Sequence, residues 1–190
     1  LDFYMLKKAI QQIRKWIDMG INPVNISVNQ SKIVFYHENY ISELKSLLKE
    51  YDVSASYITL EVLESTVIED FKLFNQILLE VKKLGFSVSL DDFGSGYSSL
   101  NVLSKLTIDE LKIDRIFLHI DSDLENKKTK WILEGIINIA KKSNIRVVVE
   151  GVESSRDDEF IRCLGANVGQ GYYYSRPLSI DAFNDLIHKK

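Results

Sequence analysis

The sequence predicts an α/β fold, a TIM-type (β/α) barrel that is incomplete, with about six of its eight strands present. Six short apolar runs alternate with helical patterns along the 190 residues, an order typical of a parallel sheet. Each run ends in polar residues, and a barrel brings the carboxyl ends of all its strands to one mouth. An open sheet would bring them together mainly at one switch point, and no glycine fingerprint of such a sheet follows the first strand.

The composition is that of an ordinary globular domain, with 45% hydrophobic and 27% charged residues. A formal net charge of -3 disfavours binding to polymeric nucleic acid through bulk electrostatics. No apolar run is long enough for a membrane span, so we expect no membrane contact from this segment. The single cysteine, Cys163, is expected in the core and fits a reducing, cytoplasmic compartment, although the parent protein can carry a membrane anchor elsewhere.

The first half of the chain contains three predicted strands. Apolar spacing of three and four residues predicts a helix over 2–19, capped by Asp2 and ended by Gly20. The remaining elements are a strand over 24–31, a helix over 38–50, a strand over 57–64, a helix over 69–84 closed by Gly85, and a strand over 86–90. Ser98 or Ser99 can cap a short helix after this third strand.

The second half repeats the order. The predicted elements are a strand over 110–114, a polar loop over 121–128, a long helix from there to Lys142, a strand over 146–153, a helix over 157–164, a sixth strand over 167–174 and a terminal helix capped by Ser179. A complete barrel of this type needs about 250 residues. We therefore expect residues 1–190 to be one domain, truncated at its N-terminus, with the first two strands missing.

Oxygen-bearing side chains at the strand ends predict a metal site. Carboxylate and amide oxygens suit Mg²⁺ or Mn²⁺, and the three histidines, His37, His119 and His188, fall away from the strand ends. More carboxylates are present than one ion needs, which predicts a two-metal site, with Asp91 as a candidate bridging ligand, of the kind that activates water against a phosphodiester. The candidate ligands are Asn29, Glu61, Asp91, Asp92 and Glu150, with Gln170 beside them.

Other polar residues near these ends have two interpretations each. Lys112 either orients the attacking water, accepting its proton if its pKa is lowered, or neutralises surplus carboxylates. Glu64 is either a ligand or, more plausibly, a brace for the loop after Asp92. Glu153 and Asp114, taken alone, are more often helix caps or solvated loop residues.

The motifs together resemble the EAL-domain family, the cyclic-di-GMP phosphodiesterases of bacterial signalling, over essentially the whole chain. Six ordered segments carry the resemblance: Ser27-Val28-Asn29, Leu60-Glu61-Val62-Leu63-Glu64-Ser65, Asp91-Asp92-Phe93-Gly94-Ser95-Gly96, Leu111-Lys112-Ile113-Asp114, Val149-Glu150-Gly151-Val152-Glu153 and Gln170-Gly171-Tyr172. The resemblance implies a modified TIM barrel whose first strand is antiparallel. It also implies hydrolysis of cyclic-di-GMP to linear pGpG with Mg²⁺ or Mn²⁺.

The resemblance also implies roles for individual residues. The metal ligands would be Asn29, Glu61, Asp91, Asp92 and Glu150. Lys112 matches the lysine that holds or activates the water, Gln170 the glutamine of the site, and Glu64 the glutamate that steadies the loop after the two aspartates. Our catalytic set is Lys112, Glu150, Gln170 and Glu153, with Glu64 as a loop-stabilising residue. The departures are Leu63 and Ser95, each in place of a threonine, and Gln30 in place of an aliphatic residue.

The Glu-Ala-Leu motif that names the family is not in this sequence. We therefore expect little or no activity from this chain alone and an active phosphodiesterase in the parent, as a homodimer fused to sensory or cyclase domains. The alternatives are a non-catalytic cyclic-di-GMP receptor, a protein-interaction module, or a chain that pairs its exposed barrel edges with another chain.

Overall fold

A computed structural model describes residues 1–67, 71–94, 103, 106–118 and 123–188. Its centre is a single sheet of six strands, every neighbouring pair parallel, with the strands in chain order across the sheet. The strands are β1 (Ile26–Gln30), β2 (Ile58–Leu63), β3 (Ser87–Phe93), β4 (Glu110–Ile113), β5 (Arg146–Val149) and β6 (Val168–Gly169). The predicted α/β order is confirmed.

Helices connect the strands and flank the sheet. They are α1 (Asp2–Asp18), α2 (Lys32–Phe35), α3 (Tyr40–Tyr51), α4 (Glu64–Val67), α5 (Phe71–Lys83), α6 (Asp123–Lys142), α7 (Ser155–Leu164) and α8 (Ile180–His188). Single 3₁₀ turns stand at Ala55–Tyr57 and Arg115–Phe117. None of the helices in the described ranges combines the length and the apolar character that a membrane crossing requires.

The two faces of the sheet differ in chemistry. On one face Leu60, Val88 and Leu111 are fully buried and belong to the same apolar cluster as the helix residues Leu78 and Ile137. Strand alternation and the pairing register place small or polar side chains on the other face, namely Ser27, Thr59, Glu61, Ser87, Ser89, Asp91, Glu110 and Lys112. The expectation that each strand is apolar through its middle is therefore wrong for this inner face.

The sheet curves into a barrel wall. A cavity of about 330 Å³ is lined on the inner face by residues from every strand, including Ser27 of β1 and Val168 of β6. Strands lie about 4.8 Å apart, so the two edges of a flat six-stranded sheet could not share one cavity of this size. The first and last helices also meet, because Trp16 Nε1 donates to Asn184 Oδ1 at 2.7 Å. The TIM-type α/β barrel fold is confirmed.

Several predictions need correction. Residues 123–128, expected in a polar loop, belong to α6, which begins at Asp123. The sixth strand has only two residues, because after Gly169 the chain enters a turn in which Tyr174 N donates to Gly171 O at 3.1 Å. Asp2 does not cap α1: it is the first helical residue, and its Oδ2 accepts from Ser31 N at 2.6 Å. Cys163 is exposed rather than in the core, since α7 turns Ile161 and Leu164 inward instead. The expected cap at Ser98 or Ser99 lies outside the described residues.

Candidate active site

Lys112 of β4 lies at the centre of an acidic cluster at the carboxyl edge of the sheet. Its Nζ is 3.2 Å from Glu61 Oε2, 3.0 Å from Asp91 Oδ1 and 2.7 Å from Glu150 Oε1. Lys112 is only 5% exposed, and Glu61 and Asp91 are 7% and 8% exposed. Charges this deeply buried are tolerated only when they are paired, so the ammonium group balances the carboxylates around it.

The charge of Lys112 is held firmly. Burial opposes the charged form, but the hydrogen bond to Glu150 and the charges of Glu61, Asp91 and Glu150 outweigh it, so the pKa of Lys112 is raised above its usual value. A lysine that accepts a proton from water would need a lowered pKa. In this arrangement Lys112 is an ammonium donor, which favours the orienting and charge-balancing interpretations over that of a proton acceptor.

The aspartate pair lies where the regular strand pairing is interrupted. The register between β3 and β4 shifts between Leu90 and Phe93, Asp91 contacts Lys112, and Asp91 and Asp92 can both present an oxygen beside Glu150. Asp92 adopts a positive φ of 57°, a conformation that aspartate tolerates better than most residues, and its N–H donates to Asp91 Oδ1 at 3.0 Å. Regular alternation would direct consecutive side chains to opposite faces, and the register shift interrupts that alternation at the site.

Asp91, Asp92 and Glu150 can present one ligand atom each within 4.8 Å of one another. Burial and the charges of Asp91 and Asp114 raise the pKa of Asp92, although Lys112 acts in the opposite direction. Burial also raises the pKa of Glu150 despite its hydrogen bond to Lys112. A divalent cation at this point would favour the charged form of both carboxyl groups, against burial and against the neighbouring carboxylates.

Two further predicted ligands lie on neighbouring strands. Asn29 is the register partner of Glu61, at the carboxyl end of β1. Glu61 already contacts Lys112, so the structure brings it into the cluster, whereas Asn29 is placed beside it by strand pairing. Gln170 follows β6, and its N–H donates to Val149 O at 2.9 Å, which places it next to the strand that leads into Glu150.

A cavity of about 350 Å³ opens at the same edge of the sheet. Gln170 lines both this mouth and the deeper interior cavity, while Glu153 lies at the mouth alone. The mouth is lined by Asp92, Asp114, Arg115, Glu150, Gly151, Glu153, Gln170, Gly171 and Tyr172.

Arg115 and Tyr172 were not among the predicted site residues. Arg115 directly follows the polar end of β4, a position that could have marked it in the sequence. Tyr172 is 59% exposed in the turn after β6, with the Arg176 guanidinium 5.0 Å from its ring centroid.

Glu64 is buried, at 5% exposure, where β2 passes into α4. Its predicted partner, the loop after Asp92, falls largely within 95–100, outside the described residues, so the bracing role stays a prediction. Of the histidines, His37 lies between α2 and α3 and His188 at the end of α8, neither belongs to the group of Asp91, Asp92 and Glu150, and His119 lies outside the described residues.

The donor set fits a hard divalent cation. The ligand atoms that the cluster can present are carboxylate oxygens. Mg²⁺ and Mn²⁺ prefer oxygen ligands, whereas softer metals do not. Among the described residues Asp91, Asp92 and Glu150 could hold such an ion together, and Asn29 and Glu61 stay predicted ligands.

Comparisons with known proteins agree on the family. The EAL domain model matches residues 1–177. The "Bifunctional diguanylate cyclase/cyclic di-GMP phosphodiesterase MucR" of Pseudomonas aeruginosa is 36% identical over 175 residues, covering 92% of this chain and 25% of that protein. The "Cyclic di-GMP phosphodiesterase PdeR" of Escherichia coli is 33% identical over 181 residues, 95% of this chain and 27% of that protein. The chain thus spans about a quarter of the length of these relatives.

Solved structures share the fold. A structure described as "PaMucR Phosphodiesterase, c-di-GMP complex" superposes with a TM-score of 0.85 at 35% identity, covering 95% of this chain and 72% of that one. The EAL domain of Mycobacterium smegmatis DcpA gives a TM-score of 0.88 at 27% identity, covering 100% of this chain and 84% of that one. The match to the family model covers most of the chain, so the chain belongs to the EAL domain family.

Proposed function

We propose that the protein containing this chain hydrolyses cyclic-di-GMP to linear pGpG. The observation that carries this proposal is the buried Lys112 ammonium among Glu61, Asp91 and Glu150, beside the Asp91, Asp92 and Glu150 ligand cluster. The cyclic-di-GMP phosphodiesterases MucR and PdeR are relatives of this chain, which supports the choice of substrate.

The reaction consumes one water molecule. Its oxygen forms a bond to phosphorus, the bond from phosphorus to the ribose 3′ oxygen breaks, and that oxygen takes up a proton. Mg²⁺ or Mn²⁺, as a pair of ions held by Asn29, Glu61, Asp91, Asp92 and Glu150, would supply activation of the water and neutralisation of charge on the phosphate. Lys112 would hold the water or a phosphate oxygen through its N–H donors, because its raised pKa keeps it charged.

Other residues have supporting roles in this proposal. Gln170 and Glu153, both at the mouth, would contact the nucleotide or its water. Glu64, buried at the end of β2, would steady the loop that follows the aspartate pair.

The proposal extends to the whole protein. This chain covers about a quarter of each of these relatives, so they have room for further domains. We propose fused sensory or cyclase domains for the protein that contains this chain as well. We propose a homodimer too, since Trp131 and Ile132 of α6 are 66% and 54% exposed, which is a high exposure for large apolar side chains. A substrate that is a soluble nucleotide messenger favours a cytoplasmic site for this domain.

The test is product formation by a chain extended by about 60 residues at its N-terminus, the length of two strand–helix units. With Mn²⁺ we expect conversion of cyclic-di-GMP to pGpG, resolved by chromatography, and a loss of at least about 100-fold in Lys112→Met. Lys7→Met, which removes an exposed partner of Glu50, is the matched control and should keep full activity. The 190-residue chain should show little or no turnover.

A cyclic-di-GMP receptor is the alternative function. Binding of the nucleotide by the extended chain, with metal present and without any pGpG, would favour it over the enzyme. The acidic cluster argues for the enzyme, because a protein-interaction module has no need of several buried carboxylates around one lysine.

A further inference from the structure

Gln30 is a buried amide on the apolar face of the sheet. It ends β1, is 2% exposed, and lies opposite Val62 in the register, on the face away from Asn29 and Glu61. A buried amide costs free energy unless its donors and acceptors are satisfied. The resemblance to the EAL family places an aliphatic residue at this position, so the amide is a feature of this chain.

Two hydrogen bonds satisfy this amide. Gln30 Nε2 donates to the backbone oxygen of Asn29 at 2.8 Å, and Tyr40 Oη donates to Gln30 Oε1 at 3.0 Å. Tyr40 is the first residue of α3, is 1% exposed, and has the rings of Phe3 and Phe35 5.9 Å and 5.4 Å from its own ring. Packing therefore holds the Tyr40 hydroxyl in place. Its hydrogen bond to Gln30 holds the amide, and the amide in turn holds the backbone oxygen of Asn29.

The neighbouring residue is anchored as well. Ser31 N donates to Asp2 Oδ2 at 2.6 Å, which ties the end of β1 to the start of α1. Side chains of Gln30, Tyr40 and Asp2 thus hold the carboxyl end of β1 through hydrogen bonds.

We propose that Gln30 and Tyr40 are positioning residues for Asn29, holding its peptide so that its side chain meets the divalent cation. The inference rests on the proposed function, because it takes Asn29 as a ligand. Neither residue contacts the cation, since both lie on the helix side of the sheet. Partners that orient a metal ligand typically change metal affinity by 10–100-fold when they are removed.

Tyr40→Phe tests the proposal, because it removes the hydroxyl and keeps the ring. The measurement is calorimetric titration of the N-terminally extended protein with Mn²⁺ alone, with thermal unfolding recorded in parallel. We expect the dissociation constant for Mn²⁺ to rise by about 10-fold. Tyr51→Phe is the matched control on the same helix: it removes a hydroxyl that accepts from Gln11 Nε2 at 3.0 Å, and it should leave the Mn²⁺ affinity unchanged.

A double variant separates positioning from simple stability. Gln30→Leu with Tyr40→Phe replaces both side-chain polar groups by apolar ones, so neither side chain leaves the other's polar atom without its partner, and the unfolding temperature should recover relative to either single variant. Asn29 O still lacks its donor, so we expect the Mn²⁺ affinity to stay reduced. If affinity recovers together with stability, or if Tyr40→Phe binds Mn²⁺ as the unaltered protein does, the positioning role is wrong.

The unaltered extended protein distinguishes the two proposals. If it binds Mn²⁺ and makes pGpG while the Gln30 and Tyr40 variants do the same with unchanged constants, only the positioning inference fails. If the unaltered protein neither binds Mn²⁺ nor turns over cyclic-di-GMP, the proposed function fails, and the positioning inference fails with it.

Discussion

At the scale of single residues, the site depends on one buried ammonium group among carboxylates. Lys112 contacts Glu61, Asp91 and Glu150, at distances from 2.7 to 3.2 Å. In the absence of metal this lysine supplies the positive charge that lets the acids lie together. A bound divalent cation would add positive charge at the same place, and would then neutralise the carboxylates together with the lysine.

The first prediction concerns this balance. Lys112→Met leaves buried carboxylates without their cation, so we expect the metal-free protein to lose about 3 kcal/mol of unfolding free energy. Added Mg²⁺ or Mn²⁺ should restore part of that loss. The gain in unfolding free energy should be larger than the gain that the same ion gives the unaltered protein. Chemical denaturation with and without metal measures both effects. Equal destabilisation in both conditions would contradict the charge-balancing role.

The second prediction concerns pH. The pKa of Asp92 is raised from 3.8, chiefly by burial, so folding favours its protonated form. The stability that this proton contributes is fully present below pH 3.8 and is lost as pH rises through the higher pKa of the folded state. Asn cannot ionise and tolerates the positive φ of this position. Metal-free Asp92→Asn should therefore be more stable than the unaltered protein at pH 7.

The gain from Asp92→Asn should stay below about 1 kcal/mol, since the carboxyl is partly exposed and solvent screens it. Unfolding free energies measured from pH 3 to pH 7 should show the difference disappearing towards the acid end. A difference that is constant over this range would show that the charge of Asp92 is not its cause.

Residue chemistry at the strand ends was largely predictable from the sequence, because a polar side chain after an apolar run is visible in it. Glu61, Asp91, Lys112 and Glu150 were all expected at one edge and are brought together there. The register shift at the aspartate pair, where Asp92 joins Asp91 and Glu150, was not predictable, since a period-two pattern does not reveal where the register shifts.

At the scale of elements, periodicity located the helices and strands but not all of their ends. Helix α5 was expected over 69–84 and ends at Lys83, while positions 69 and 70 lie outside the described residues. The sixth strand was expected over 167–174 and has only two residues, because the turn that follows takes over the backbone hydrogen bonds. Turn geometry depends on contacts with distant segments, here with Val152, and a local pattern cannot contain them.

The third prediction tests that contact. A Cβ on Gly171 would lie 2.1 Å from the backbone oxygen of Val152 and 2.4 Å from its nitrogen, so Gly171→Ala must displace the backbone beside Gln170. We expect a loss of at least about 2 kcal/mol in unfolding free energy, the size typical of overpacking. The matched control is Gly135→Ala in α6, where a Cβ meets nothing within 4 Å.

Gly135→Ala should stabilise the protein by about 0.5–1 kcal/mol, because alanine is the better helix former. Thermal unfolding of the two variants should therefore move in opposite directions. If Gly171→Ala is as stable as the unaltered protein, the close approach between the turn and Val152 is not part of the fold.

At the scale of the whole molecule, the barrel wall has an inner face unlike that of most TIM barrels. Bulky branched side chains usually fill the interior of such barrels. Here serine, threonine and charged residues line a cavity of about 330 Å³ beneath the acidic cluster. The sequence predicted the barrel from the convergence of strand ends, but the polar interior follows from pairing register, which only the structure provides.

We propose that the protein binds a divalent cation and hydrolyses cyclic-di-GMP at one and the same acidic cluster. The most direct test is to measure Mn²⁺ binding by calorimetry and pGpG formation by chromatography on the same N-terminally extended protein, unaltered and as Asp91→Asn. We predict that Asp91→Asn lowers Mn²⁺ affinity and turnover together, turnover by at least about 100-fold. Turnover that persists in Asp91→Asn after its Mn²⁺ binding is lost would contradict the account.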